Sequence, residues 1–490
     1  MHTRKPGFYE RQYICRNVNK YYNNFNVTAQ YNRYISPEHL SNALRRLILK
    51  NTSFALNFYR QDGSTKEQDQ DQNGNNFEVK PVKKILFDDV VSFEEIPDEF
   101  NDQCLESINK LQPEMNKLST PLWGVVVYKS ESLNCQYICF YCDHTLFDGT
   151  SGVQFHRDLI VELEELSNAS TLEKMQILFN YEDDRDDLPT KLSPALEMKT
   201  DLYHRPFFSK IINTIINSFW NDKTIGVLDA LKKIFSSYFS ELEIKKPRPF
   251  FEYNPVRPDI IHKYKIINFT PTEVKKILAF CKSEGTTLTP YIGTIGIHCL
   301  NNTIIPVCTG GEESITSLRC SINGRRFFPE IQDELKYGVC VSTTQYEIEP
   351  LENSSIVSKV RCIGDNLRKT ASTKEVFWTT GDKLKETNFW DSFKKTVGGK
   401  RRETLYTSNL GQVSIKAGDL EVTNIWFSQS NGIAFHFVFS VVSSVGGGLN
   451  ICLGYLPEYG TLKQKNSAEF AIDEFVKKFK TGVLDFNLYK

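Results

Sequence analysis

The chain has almost no net charge, with 59 Lys and Arg against 60 Asp and Glu. Nucleic-acid-binding domains gather cations into a strongly basic face, so the balance argues against that class for the chain as a whole. There is no unbroken apolar run of the roughly 18–20 residues that a membrane-spanning helix needs. The opening MHTRKPGFYERQYICRNVNKYYNNFN contains no apolar stretch of signal-peptide type. Gly-x-Ser-x-Gly is missing, so an acylated serine is not expected. The 12 cysteines do not fall at framework spacings. Cys139 and Cys142 form the lone Cys-x-x-Cys, inside an apolar, strand-like run without a second pair. Neither disulfides nor a metal is expected, and the reading is an intracellular protein with reduced, mostly buried thiols.

A large core is affordable. Hydrophobic residues make up 40% of the 490, including 34 Phe and 22 Tyr, enough for two large domains or three smaller ones. The periodicity is mixed α and β. Ser36-Pro37-Glu38 opens a helix with Leu40, Leu44, Leu47 and Ile48 on one face. Residues 54–59 read as a strand, and 61–76 as a polar, mobile loop. Residues 123–128 and 136–142 read as a hairpin, followed after Asp148-Gly149 by a helix with Val153, Leu159, Ile160 and Leu163 inward. Aromatic stripes at 207–219 and 228–239 suit helices packed on the core. That reading is favoured over apolar faces laid on a membrane surface or shaping an acceptor channel. Four prolines at 247, 249, 255 and 258 mark an extended crossover. The expected domains are therefore 1–245 and 261–490, joined by a Pro-rich segment at 246–260. In the second half, strands are expected at 264–269, 316–322, 425–427, 434–442 and 449–455. Helices are expected there at 272–281, 288–300, 356–367 and 468–479.

The residues with chemical potential gather where the strand 136–142 ends. His144-x-x-x-Asp148-Gly149 places an imidazole at a strand mouth, where partial desolvation holds it neutral and able to accept a proton. Asp148 can brace the turn, and Gly149 spares the backbone a Cβ there. Of the eight histidines, only His144 meets the full pattern with its glycine.

This pattern resembles the HxxxDG signature of the CoA-dependent acyltransferase superfamily, which includes chloramphenicol acetyltransferase, plant BAHD enzymes and peptide-synthetase condensation domains. The chain as a whole resembles the fungal alcohol acetyltransferases. Tyr31-Asn32, HTLFDGTSG (144–152), TTLTPYIG (286–293), NGRRFFP (323–329), KYG (336–338), TSNLG (407–411) and WFSQSNG (426–432) follow in family order. One departure is Asp143, where many relatives carry a second His. The resemblance implies an α/β fold of two halves, each with a mixed sheet, and a tunnel between them. Acetyl-CoA would enter from one side and a hydrophobic acceptor from the other, with His144 as general base and Asp148 in a structural ion pair.

Other residues keep two readings. Ser408 and Asn409 either line the tunnel and bond the thioester carbonyl or form a turn between strands, the turn being favoured. Arg325-Arg326 either pair with a carboxylate such as Asp148 or hold the fold locally. Lys394, Lys395, Lys400, Arg401 and Arg402 either meet the phosphates of CoA as flexible cations or form a solvated loop. Asn431-Gly432 and Gly446-Gly447-Gly448 read as turns. The leading expectation is O-acetylation of an alcohol, followed by N-acetylation of a lipophilic amine such as a sphingoid-like compound or a drug. A non-catalytic binding protein on the same fold is the rival from another class. A monomer without nucleic-acid partners is expected, cytoplasmic or held peripherally at endoplasmic reticulum or lipid droplets.

Overall fold

The computed structural model describes residues 3–487 apart from 62–73, 75, 134, 168–170, 189–191, 207–247, 251–255, 258–260, 402 and 465–467. The aromatic stripes at 207–239, most of the polar stretch 61–76 and part of the Pro-rich crossover thus lie outside the described residues.

Two sheets dominate, as the mixed periodicity implies. Helix α1 spans Phe8–Val18, α2 Pro37–Lys50 and α3 Gly149–Leu166. The strands of the first half are β1 (Phe25–Tyr31), β2 (Val91–Ile96), β3 (Trp123–Ser130) and β4 (Gln136–Cys142). The second half supplies β5 (Lys263–Phe269), β6 (Ser314–Asn323), β7 (Val341–Ile348), β8 (Glu403–Val413), β9 (Lys416–Ala417), β10 (Leu420–Gln429), β11 (Phe435–Ser444) and β12 (Gly448–Tyr455). Among the described residues the first sheet runs β9-β10-β1-β4-β3-β2, and the second runs β5-β12-β11-β8-β6-β7 with Arg248–Pro249 beside β6. The sheets therefore do not follow the chain halves. Strands β9 and β10 come from the second half but extend the first sheet, with Phe25 opposite Gln429 and Thr28 opposite Trp426.

Local chemistry explains the elements nearest the site. Ser36 caps α2 by accepting from the His39 N–H at 3.3 Å, with Pro37 in the first turn. Its apolar stripe, Leu40, Leu44, Leu47 and Ile48, is fully buried and packs with Leu159 and Leu163 of α3 over the first sheet. A second core fills the space between the second sheet and its helices, α4 (Pro271–Ser283), α5 (Leu288–Asn301), α6 (Ile356–Ala371) and the last helix. A third, smaller cluster ties the halves together. There Phe8, Tyr9 and Tyr13 of α1 meet Phe377 of α7 (Glu375–Glu386) and Phe389 and Phe393 of α8 (Phe389–Thr396). The last helix, α9, spans Ala471–Leu484. Among the described residues no helix is long and apolar enough to cross a membrane.

Candidate active site

Strand β4 carries the chain out of the first sheet at Cys142, and α3 begins seven residues later at Gly149. His144 sits in that connection. Its ring stacks on Tyr13 at 4.6 Å between centroids and leans on Phe25 at 4.7 Å and Tyr22 at 5.7 Å. Nδ1 is enclosed by protein, and the side chain lines a cavity of about 380 Å³. Burial lowers the pKa of His144 to about 4. The Asp148 charge opposes this shift and the Arg16 guanidinium adds to it. His144 is therefore a neutral imidazole at neutral pH.

Asp148 faces away from that space chemically, though it touches the lining. It is the N-cap of α3, accepting from the Ser151 N–H at 2.9 Å and its hydroxyl at 3.0 Å. Its other oxygen accepts from Arg325 Nη1 at 2.6 Å and the Cys340 N–H at 3.0 Å. Burial works against the charged carboxylate, but Arg325 and these N–H groups outweigh it and hold the carboxyl below its usual range. Arg325 is buried as well and donates further to the carbonyls of Leu335 (2.7 Å) and Gly338 (2.8 Å). The pairing of Arg325 with Asp148 thus joins the two halves directly behind the histidine. Asp143 is buried on the other side, accepting from Asn17 Nδ2 at 2.7 Å and Thr145 N–H at 2.8 Å, and so fixes the residue before His144 to α1.

Gly149 has a different reason from the one its motif suggests. It is absent from the left-handed region. A Cβ built on it would lie 2.6 Å from Leu410 Cδ2 and 3.4 Å from Phe427. The glycine admits β8 and β10 against the start of α3.

The favoured turn reading of Ser408 and Asn409 is corrected. Both lie within β8, opposite Ser440 and Val441 of β11, and the pairing becomes irregular only beyond Asn409. A β-bulge with Gly411 at φ 78° accounts for the Asn-x-Gly signal. Both residues line the cavity. Asn409 is already engaged, donating to Thr289 Oγ1 at 3.0 Å and accepting from the Gly411 N–H at 2.8 Å. Ser408 lies beside the Tyr406 hydroxyl.

The basic run divides. Lys394, Lys395 and Lys400 are exposed, and Lys400 does not line the cavity. Arg401 is not a surface cation: it is 4% exposed and donates to the carbonyls of Gly432 (3.3 Å) and Phe435 (3.2 Å). Its charge is turned into the protein, so an exposed phosphate contact does not apply to it. Arg402 lies outside the described residues. Cys139 and Cys142 are buried within β4, and burial pushes the Cys139 thiol up to about 12, so they pack as small apolar groups.

Helix α1 is a contributor that the sequence reading missed. Tyr9, Gln12, Tyr13 and Arg16 all reach the cavity, at the i, i+3, i+4, i+7 spacing of one helix face. That spacing in FYERQYICRNV was the available signal. From the second half, Arg319, Ser321, Glu403 and Tyr406 form a polar wall. Arg319 donates to Thr343 Oγ1 at 2.8 Å and pairs with Glu403, and Ser321 and Tyr406 share a 2.5 Å hydrogen bond. Another buried histidine, His156 of α3, is fully committed. Its Nδ1 meets the hydroxyl of Tyr31, from the Tyr31-Asn32 motif, and its Nε2 the carbonyl of Val27, each at 3.0 Å.

The chain is similar to known proteins in sequence and in fold. The chain is 22% identical to alcohol O-acetyltransferase 2 of Saccharomyces cerevisiae, over 99% of this chain and 96% of that one. It is 20% identical to the N-acetyltransferase SLI1 of the same yeast, over 78% and 81%. A probable alcohol acetyltransferase, FCK4, of Fusarium pseudograminearum is 24% identical over 75% and 73%. In fold it matches the trichothecene 15-O-acetyltransferase TRI3 of Fusarium sporotrichioides with a TM-score of 0.63 at 12% identity, covering 99% and 95%. The epimerization domain of tyrocidine synthetase B matches with a TM-score of 0.57 at 12% identity, over 100% and 98%. The alcohol acetyltransferase family matches residues 5–483, and the chain belongs to that family of acetyl-transferring enzymes.

Proposed function

We propose that the chain transfers acetyl from acetyl-CoA to the hydroxyl of a hydrophobic alcohol, with His144 as general base. The observation that carries this reading is a neutral imidazole, boxed by Tyr13, Tyr22 and Phe25, opening onto a cavity walled by both halves. His144 would take the acceptor's hydroxyl proton as its oxygen attacks the thioester carbonyl, and return that proton to the CoA sulfur as the C–S bond breaks. A base of such low basicity takes the proton only as the new bond forms, which is concerted general-base catalysis. Asp148 acts as a positioning residue: its oxygens are spent on Arg325, Cys340 and Ser151, and it anchors the turn that aims His144.

The lining suits both substrates. Phe389, Phe393, Phe427 and Leu384 offer an apolar wall for the acceptor. Since the Asn409 amide is engaged, Ser408 is the better of the two β8 residues to donate toward the thioester carbonyl. Lys394 and Lys395, at the end of α8, are exposed beside the lining residues Phe393 and Thr396 and suit phosphates as point charges.

An amine acceptor is the second reading, supported by the similarity to the yeast N-acetyltransferase. Both chemistries need one base and one cavity. Mass spectrometry of the purified protein with acetyl-CoA and a mixed panel of apolar alcohols and amines separates them by the product formed. Acetylated alcohols that vanish with His144→Ala support the proposal. Acetylated amines alone move the chain to the second reading, and CoA binding without any product would leave a non-catalytic binding protein.

A further inference from the structure

The cavity contains a cation that holds no ion pair among the described residues. Arg16, on the face of α1 that carries Tyr9 and Tyr13, lines the same space as His144. Its guanidinium carbon lies 5.1 Å from the centre of the Tyr13 ring and 5.3 Å from that of Phe393. Its Nε is buried without a hydrogen-bond partner. The two carboxylates of the lining are committed elsewhere, Asp148 to Arg325 and Glu403 to Arg319. Among the described residues Arg16 has no ion pair, whereas Arg4, Arg45, Arg205, Arg319 and Arg325 each hold a carboxylate. Burying part of a guanidinium against two aromatic faces, with donors left over, is unfavourable unless something supplies negative charge. Tyr13 and Tyr22 are held as neutral phenols by burial, and the Asp143 charge reaches Arg16 only through space, its oxygens accepting from Asn17 and Thr145.

We infer that Arg16 is an anion-binding residue of this cavity, and that Tyr13 and Phe393 hold its planar fork ready for a carboxylate or phosphate of the ligand. The aromatic stacking fixes the guanidinium plane, and the fork geometry matches the paired oxygens of such a group. This rests on the reading of the cavity as the acetyl-transfer site and adds to it a charge preference. Two substrates could bring the anion: CoA through its phosphates, or an acceptor that bears an acid group at the end of an apolar chain.

The test compares wild type with Arg16→Gln and Arg16→Lys. Calorimetry measures binding of CoA, of 3′-dephospho-CoA and of phosphate-free pantetheine, and separately of 8-hydroxyoctanoate and of 1-octanol. If the anion is on CoA, Arg16→Gln weakens CoA about tenfold or more, the scale of a lost charge-assisted hydrogen bond. Pantetheine is then unmoved, and Arg16→Lys recovers part of the loss. If the anion is on the acceptor, CoA is unaffected and the preference for 8-hydroxyoctanoate over 1-octanol collapses by a similar factor. A merely structural role for Arg16 would weaken charged and neutral probes alike, and that result overturns the inference. So does a wild type that binds none of the anionic probes. Failure of the acetyl-CoA reading has its own signature: CoA does not bind while 8-hydroxyoctanoate still discriminates between wild type and Arg16→Gln.

Discussion

At the scale of single residues, the His144–Asp148 pattern separates into two jobs that one motif hides. His144 is set by its aromatic box, which removes water and lowers its pKa to about 4. Replacing it with Ala should reduce kcat/KM by about 10²–10⁴-fold, the usual worth of a positioned base, with little change in Tm. The sign of the pH dependence follows from the shift. Only the neutral ring accepts a proton, so kcat/KM should stay level as pH falls through 6.5, where an exposed histidine would titrate, and drop only near pH 4. A pH–rate profile with its acid limb near 6.5 would contradict the boxed geometry. Asp148 behaves in the opposite way. In Asp148→Asn, Arg325 loses its counter-charge inside the protein, a loss that costs about 3–5 kcal/mol for a buried pair. Thermal melting should register that loss together with reduced activity, while the acid limb is displaced only slightly downward, because Asp148 is the charge that favours protonated His144. Activity abolished at an unchanged Tm would instead give Asp148 a direct part in the chemistry.

Elements meet the site where α3 starts against β8. The approach is close enough that a methyl group on Gly149 would have to displace Leu410. Gly149→Ala should therefore destabilise by about 1–3 kcal/mol, the range for overpacking. Adding Leu410→Ala should return part of the loss rather than add to it, and a double-mutant cycle on Tm or denaturant midpoints reads that coupling. Strictly additive losses would mean the two residues do not touch. The contact also marks what the sequence could and could not tell. Elements with strong local signals were legible: α2 from its Ser-Pro cap and apolar stripe, the β3–β4 hairpin from two β-rich runs, α3 from Asp148. The His144 turn was legible because its residue types are scarce together. Ser408-Asn409 was misread because Asn-x-Gly serves a β-bulge as well as a turn, and only pairing with β11 decides between them. Arg401 was misread because burial of a cation depends on carbonyls of Gly432 and Phe435, some 30 residues away. Helix α1 was missed because its apolar and polar positions both face protein, which blurs the usual periodicity.

The whole molecule is interlocked in a way that the order of its halves conceals. Strand β1 is a central strand of the first sheet, flanked by β4 on one side and by β10, from the second half, on the other. Its residues are almost all buried. Without β10, the seven residues Phe25–Tyr31 would present an open edge of unpaired N–H and C=O groups, rich in apolar side chains, which invites pairing with other chains. The same cut would strip Asp148 of Arg325 and His144 of the cavity's far wall. A fragment of residues 1–245 should thus aggregate, or stay soluble without a cooperative melting transition, even though it carries HTLFDG and most of the first core. Appending residues 414–431 through a flexible linker should restore solubility and sharpen the melt, because it returns β9 and β10 to the open edge. It should not restore acetyl transfer, since β8 and the polar wall are still missing. Circular dichroism melts and light scattering on the two fragments give the comparison. A bare 1–245 fragment that melts as sharply as the extended one would mean that β1 does not depend on its partner from the second half.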